Sequence, residues 1–86
     1  MTDPQFHRLV VIEAEHPGLY RVVGSVREAA ECLLWSWPRE GRGERYTIAI
    51  QECRACLEGK TTMHAARWAF IGAAREAGIF VSEDRR

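Results

Sequence analysis

Apolar residues recur at helical spacing in three stretches of the chain, and each stretch is bounded by residues that start or stop helices. At about 100° per residue, Val26, Ala29, Ala30, Leu33, Leu34 and Trp37 fall on one side of a helix predicted over 26–37, with Glu28, Glu31 and Trp35 on the other. Ser25 and Glu28 form a capping box, in which each side chain satisfies an orphan amide at the helix start. Pro38 stops that helix. A second helix is predicted over 44–58, with Tyr46, Ala49, Ile50, Cys53, Cys56 and Leu57 in its stripe and Gly59 placed for the left-handed turn that ends it. The third, over 62–77, aligns Met63, Ala66, Phe70, Ala73 and Ala77. It starts at a Thr61 or Thr62 cap and ends at Gly78, and its small residues allow close helix packing.

The first quarter lacks that period. Residues 6–13 and 19–24 are rich in Val, Leu and Ile and flank the breaker His16-Pro17-Gly18, which predicts two antiparallel strands. Pro17-Gly18 suits a type II turn, whose twist does not match the tightest hairpins, so a longer connection is expected. Ile79-Phe80-Val81 is expected to return beside the hairpin as a short third strand, at either edge. The fold class that follows is α+β: an N-terminal antiparallel β-hairpin, three amphipathic helices and a short C-terminal strand. At 86 residues the chain holds a single domain, 1–86, with its core over about 6–82 and short flexible termini.

Composition narrows function by exclusion. The chain is 47% hydrophobic and 28% charged with a formal net charge of zero, so no general attraction to nucleic acid or to a membrane surface follows. Without a signal-peptide pattern or an apolar run of spanning length, a cytoplasmic protein is expected. Every basic residue except Lys60 is Arg, a usage better ascribed to codon bias than to phosphate binding.

Candidate chemistry is sparse. Cys53 and Cys56 form a C-x-x-C, but both lie on the apolar stripe in the last turns of their helix, where the dipole disfavours thiolate. A metal site would draw on Cys32, Cys53, Cys56 and one of His7, His16 or His64, with His64 the nearest in sequence to the pair. Packing is the preferred reading of all three cysteines. Arg39, Arg42 and Arg45 frame a glycine-bearing segment where an anion could be held, and with Arg85 and Arg86 they form a weak candidate for nucleic-acid binding. No phosphate-loop pattern supports either, and a solvated, flexible connection is the preferred reading. Nothing places a base beside a nucleophile at an interpretable spacing, so no enzyme and no cofactor is expected.

The third helix carries apolar residues that one core stripe does not use. His64, Arg67, Trp68, Ile71 and Arg75 lie within about 100° of one another, and Trp35 takes a similar outer place on the first helix. An aromatic beside Arg is typical of an interface hot spot. Two readings stand: a surface for a homodimer or another protein partner, or a second core layer covered by the sheet.

Glu28-Ala29-Ala30-Glu31 leading to Leu34 and Trp37-Pro38, then Cys53-x-x-x-Leu57-x-Gly59-Lys60, then Ala66-Arg67-x-Ala69-Phe70-Ile71-x-Ala73-Ala74-x-Glu76-Ala77-Gly78-Ile79 with Val81, give the chain its family likeness. Over residues 8–82 it resembles the bacterial family catalogued as domain of unknown function 982. The resemblance implies a small single-domain protein and brings no activity, cofactor or catalytic residue with it. Trp37-Pro38, Cys53, Gly59, Arg67 and Phe70 coincide with the family's typical positions; Cys32 and Cys56 do not, which speaks against a family-wide zinc or redox site. Physically, Trp37 is expected to anchor the helix corner, and Arg67 to reach a carboxylate such as Glu28, Glu31 or Glu52, or a helix C-terminus.

Overall fold

The computed structural model describes residues 5–13 and 17–85; His16 and Arg86 lie outside them. Strand β1 (Gln5–Glu13) runs antiparallel to β2 (Tyr20–Ser25), which passes directly into helix α1 (Val26–Trp35). A single 3₁₀ turn (Arg39–Gly41) leads to α2 (Glu44–Leu57), then α3 (Met63–Glu76) and β3 (Phe80–Arg85). The sheet order is β2-β1-β3, with both neighbours antiparallel to β1. The expected α+β architecture is therefore present, with β1 in the middle and the C-terminal strand at the edge opposite β2.

Local chemistry sets the helix limits. The Glu28 amide donates to Ser25 Oγ at 3.1 Å, and Glu28 Oε1 accepts from the Gly24 amide at 3.2 Å, so the capping box reaches back one residue further than its usual partner. Thr62 Oγ1 accepts from the Ala65 amide at the start of α3. Gly59 and Gly78, with φ of 78° and 73°, take the left-handed conformation just past α2 and α3.

The core lies between the helices and one face of the sheet. Phe6, Val10, Ile12 and Val23 from the strands meet Val26, Ala29, Cys32 and Leu33 of α1, Ala49 and Cys53 of α2, and Ala66, Phe70 and Ala73 of α3. Trp37 lies beyond the end of α1, which stops at Trp35 with the Ser36 amide bonded to Cys32 O. It is nonetheless buried, its ring 5.6 Å from that of Phe70 and 6.1 Å from that of Tyr46, and its indole N–H donates to Gly41 O at 3.2 Å.

Two expectations need correction here. Residues 38–43 are not a loose connection. Gly41 is buried, and a Cβ placed on it would lie 2.4 Å from Ala77 Cβ and 3.0 Å from Ala77 Cα. Gly41→Ala should therefore force the turn away from the end of α3 and cost about 1 to 3 kcal/mol in chemical denaturation. Leu34 and Leu57, assigned to core stripes, are more than two-fifths exposed. They sit at the margins of their stripes and, with Ala30 and Ile50, line a shallow groove between α1 and α2.

Candidate interaction surface

Helix α3 has neighbours on two sides, and that decides where its sequence-derived candidates go. Phe70 turns to Trp37 at the helix corner, while Arg67 reaches the sheet, donating from Nε to Arg8 O at 3.2 Å and pairing with Glu83 of β3. The Arg67–Ile71–Ala74 stripe therefore forms a second buried face. Ile71 is only 2% exposed and Arg67 is buried, so neither belongs to an open surface; for them the second-layer reading holds. Arg67 does find a carboxylate, but it is Glu83 rather than Glu28, Glu31 or Glu52.

Trp68 is different: it stays 61% exposed, above a groove lined by Arg45, Ile71, Gly72, Arg75 and Glu76. Arg67 lies 5.9 Å from its ring centroid, and Arg75 turns instead over Phe80 at 4.7 Å. His64 is exposed on the same helix and faces His7 of β1. Trp35, also exposed, lies in a separate depression with Trp37, Pro38, Ala77 and Ile79. Of the six interface candidates, Trp68, Ile71 and Arg75 thus border one groove, whereas Trp35 lies in a separate depression, His64 faces β1 and Arg67 is turned to the sheet.

The arginine cluster is divided between two structural roles. Arg42 donates to Trp37 O at 3.2 Å and stacks 5.3 Å from the Tyr46 ring centroid, which commits it to the helix corner. The N-terminus of α2 already has an anion, because Glu76 from the end of α3 accepts from the Arg45 amide at 3.3 Å. Gly43 has no side chain to cap that helix, and a Cβ there would meet the Glu76 carboxylate at 2.8 Å. Arg45 accordingly belongs to an internal cap and Arg42 to the helix corner, while Arg39 is exposed at the start of the 3₁₀ turn.

Cys32, Cys53 and Cys56 are free and buried, and among the described residues no three His, Cys, Asp or Glu come together as metal ligands. Burial pushes the Cys53 thiol up to about 12, aided by Cys56 and Glu52. Cys32 rises to about 11, again chiefly by burial, and Cys56 rises for the same reason with Glu52 adding to it. Thiols so protonated are poor nucleophiles and poor ligands.

The surface that sequence reasoning missed is the far side of the sheet. Residues opposite one another in a ladder share a face, and the pairs Val10↔Val23 and Val10↔Glu83 point toward the helices. The alternate pairs Val11↔Val22, Glu13↔Tyr20 and Val11↔Ser82 therefore point away from them. On that side Tyr20 is 59% and Val22 51% exposed, Leu9 and Val11 are half-buried, and Val81 is exposed at the bulge in β3. Glu13 is drawn to the rim, where its carboxylate accepts the Gly18 amide at 3.1 Å. A one-sided antiparallel sheet alternates apolar with polar residues; this one is apolar on both faces. The signal was the unbroken run Leu9-Val10-Val11-Ile12, which reads as a strand covered on both sides.

With this geometry in hand, the chain can be compared with known families: the family described as Protein of unknown function (DUF982) matches residues 8–81. The chain belongs to that family. No curated protein and no solved structure matches it. In this DUF982 protein the matched span opens inside β1 and closes inside β3, so it takes in the helical layer and most of the sheet. Among the described residues, no helix of the DUF982 chain is long and apolar enough to cross a membrane.

Proposed function

We propose that this protein is a small non-enzymatic interaction module that self-associates through the open face of its sheet. The observation that carries the reading is the apolar character of the outward positions Leu9, Val11, Tyr20 and Val22 on strands whose other face is already filled by the core. An antiparallel sheet apolar on both faces gains from a second layer, and two copies apposed face to face would bury each other's strands between two helical layers.

The contact would be modest. The apolar area on that face is on the order of a few hundred Å² per copy. A pair then falls below the roughly 1,200 to 2,000 Å² of a standard stable interface, so a dimer dissociating in the micromolar range is expected. Sedimentation equilibrium should show monomer and dimer exchanging with concentration, and Val22→Lys or Tyr20→Lys should leave a folded monomer. Trp68→Ala, on the helical side, should leave the association unchanged. A wild-type chain that stays monomeric at millimolar concentration, or a dimer lost in Trp68→Ala but kept in Val22→Lys, would defeat the proposal.

A further inference from the structure

The geometry points to a two-histidine chelate for a divalent transition-metal ion, zinc or copper, at the junction of β1 with the first turn of α3. His7 and His64 are both exposed, and their ring centroids are 5.9 Å apart with the planes tilted by 34°. Two imidazoles on one ion, at metal–nitrogen distances of about 2.0 to 2.1 Å, place their centroids about 5 Å apart at tetrahedral angles and nearer 6 Å at wider ones. The observed centroid spacing falls within that range, and exposed side chains are free to turn a ring nitrogen toward a shared ion.

Two features of the surroundings suit the pair to this role. Regular pairing of β1 with β2 breaks between Gln5 and Val10, and within that irregular stretch His7 and Arg8 are exposed in succession instead of alternating. Bulged strands re-aim side chains in this way, and here the stretch brings His7 against α3. The distance between the two elements is also fixed nearby, because the buried Arg67 guanidinium, one turn beyond His64, holds the carbonyl of Arg8, next to His7. A chelate gains most when its ligands are held by a rigid frame.

The charge of Arg67 is met by Glu83, leaving Arg8 as the neighbouring cation that an incoming ion must tolerate. Among the described residues the pair has no third protein ligand, so water or solute anions complete the shell and micromolar affinity is the scale expected. This site uses neither the cysteines nor the open sheet face, and it stands or falls independently of self-association.

Calorimetric titration of the full-length chain with zinc chloride, repeated with copper, tests it. One equivalent should bind, with affinity falling at least tenfold in His7→Ala and in His64→Ala. The double variant should bind no more weakly than either single one, because a chelate is lost when one arm is lost. Circular dichroism should show all three variants folded, as expected for exposed positions. Absence of binding, affinity unchanged in either single variant, or losses that simply add in the double variant would each overturn the chelate.

Discussion

Replacing Trp37 by Ala should lower the free energy of unfolding by about 3 to 5 kcal/mol, the range for deleting a buried large aromatic. Three separate connections end on this side chain: the ring contacts to Phe70 of α3 and Tyr46 of α2, and the indole hydrogen bond to Gly41 O. Its own carbonyl is held by Arg42, and Tyr46 in turn donates to Leu33 O at 2.7 Å, so the end of α1, the 3₁₀ turn and the helical pair close on one point. Removing the ring leaves a cavity where three elements meet and strands the Gly41 carbonyl. A domain of this size has a total stability of only about 5 to 10 kcal/mol. Urea denaturation should therefore show a midpoint reduced by roughly half, or a chain largely unfolded without denaturant. Trp37→Phe should recover much of the loss, since it restores ring packing and leaves only the hydrogen bond missing. A Trp37→Ala protein with the wild-type midpoint would mean that the helix corner is held elsewhere.

How far the chain could be read in advance follows from which determinants are local. The helices were legible because their stops are written beside them: the Ser25–Glu28 box, Pro38 past α1, Gly59 and Gly78 in the left-handed region. The last strand was legible only as far as Val81. Ser82, Glu83, Asp84 and Arg85 have no strand-like character, and β3 extends through them because β1 pairs with them. Gly41 and Gly43 resembled a flexible linker because glycine signals freedom and close packing with the same letter; Ala77 and Glu76, more than thirty residues away, decide between the two. The interface candidates went astray at Arg67 and Ile71 for a related reason. One helical wheel shows one core stripe, whereas α3 is covered on two sides and buries two. Trp68 remained outside both stripes, and its exposure decides between an outer surface and a second core layer, which the helical wheel left open. The open sheet face was readable in principle from four consecutive apolar residues in β1, but its extent depends on the register with β2, which no local pattern states.

Glu83→Ala should be the other strongly destabilising change, at about 2 to 3 kcal/mol, and more costly than altering its partner. The ion pair is asymmetric: the Arg67 side chain is 7% exposed and that of Glu83 21%. Removing Glu83 leaves a guanidinium enclosed between α3 and the sheet with the Arg8 carbonyl and the Trp68 ring but no carboxylate among its contacts in the described residues, and an uncompensated buried charge is the costly outcome. Removing Arg67 instead leaves a carboxylate that water can still reach. Arg67→Met, which keeps an unbranched apolar stem in the slot, should therefore lose less than Glu83→Ala. The same pair sets an acid limit. The hydrogen bond from Arg67 holds the Glu83 carboxyl below its ordinary value of 4.5, against burial, with the charges of Arg67, Arg8 and Arg75 adding to it. A carboxyl depressed in the folded state binds its proton more readily when unfolded. Its contribution is therefore complete above the ordinary value and is lost as pH falls toward the depressed one. Denaturation midpoints measured from neutral pH downward should begin to fall near pH 4.5, and that fall should be shallower in Glu83→Ala. Parallel acid slopes in the two proteins would show that other carboxylates govern the transition; a shallower slope would identify the α3–β3 bridge as the contact through which acid opens the fold.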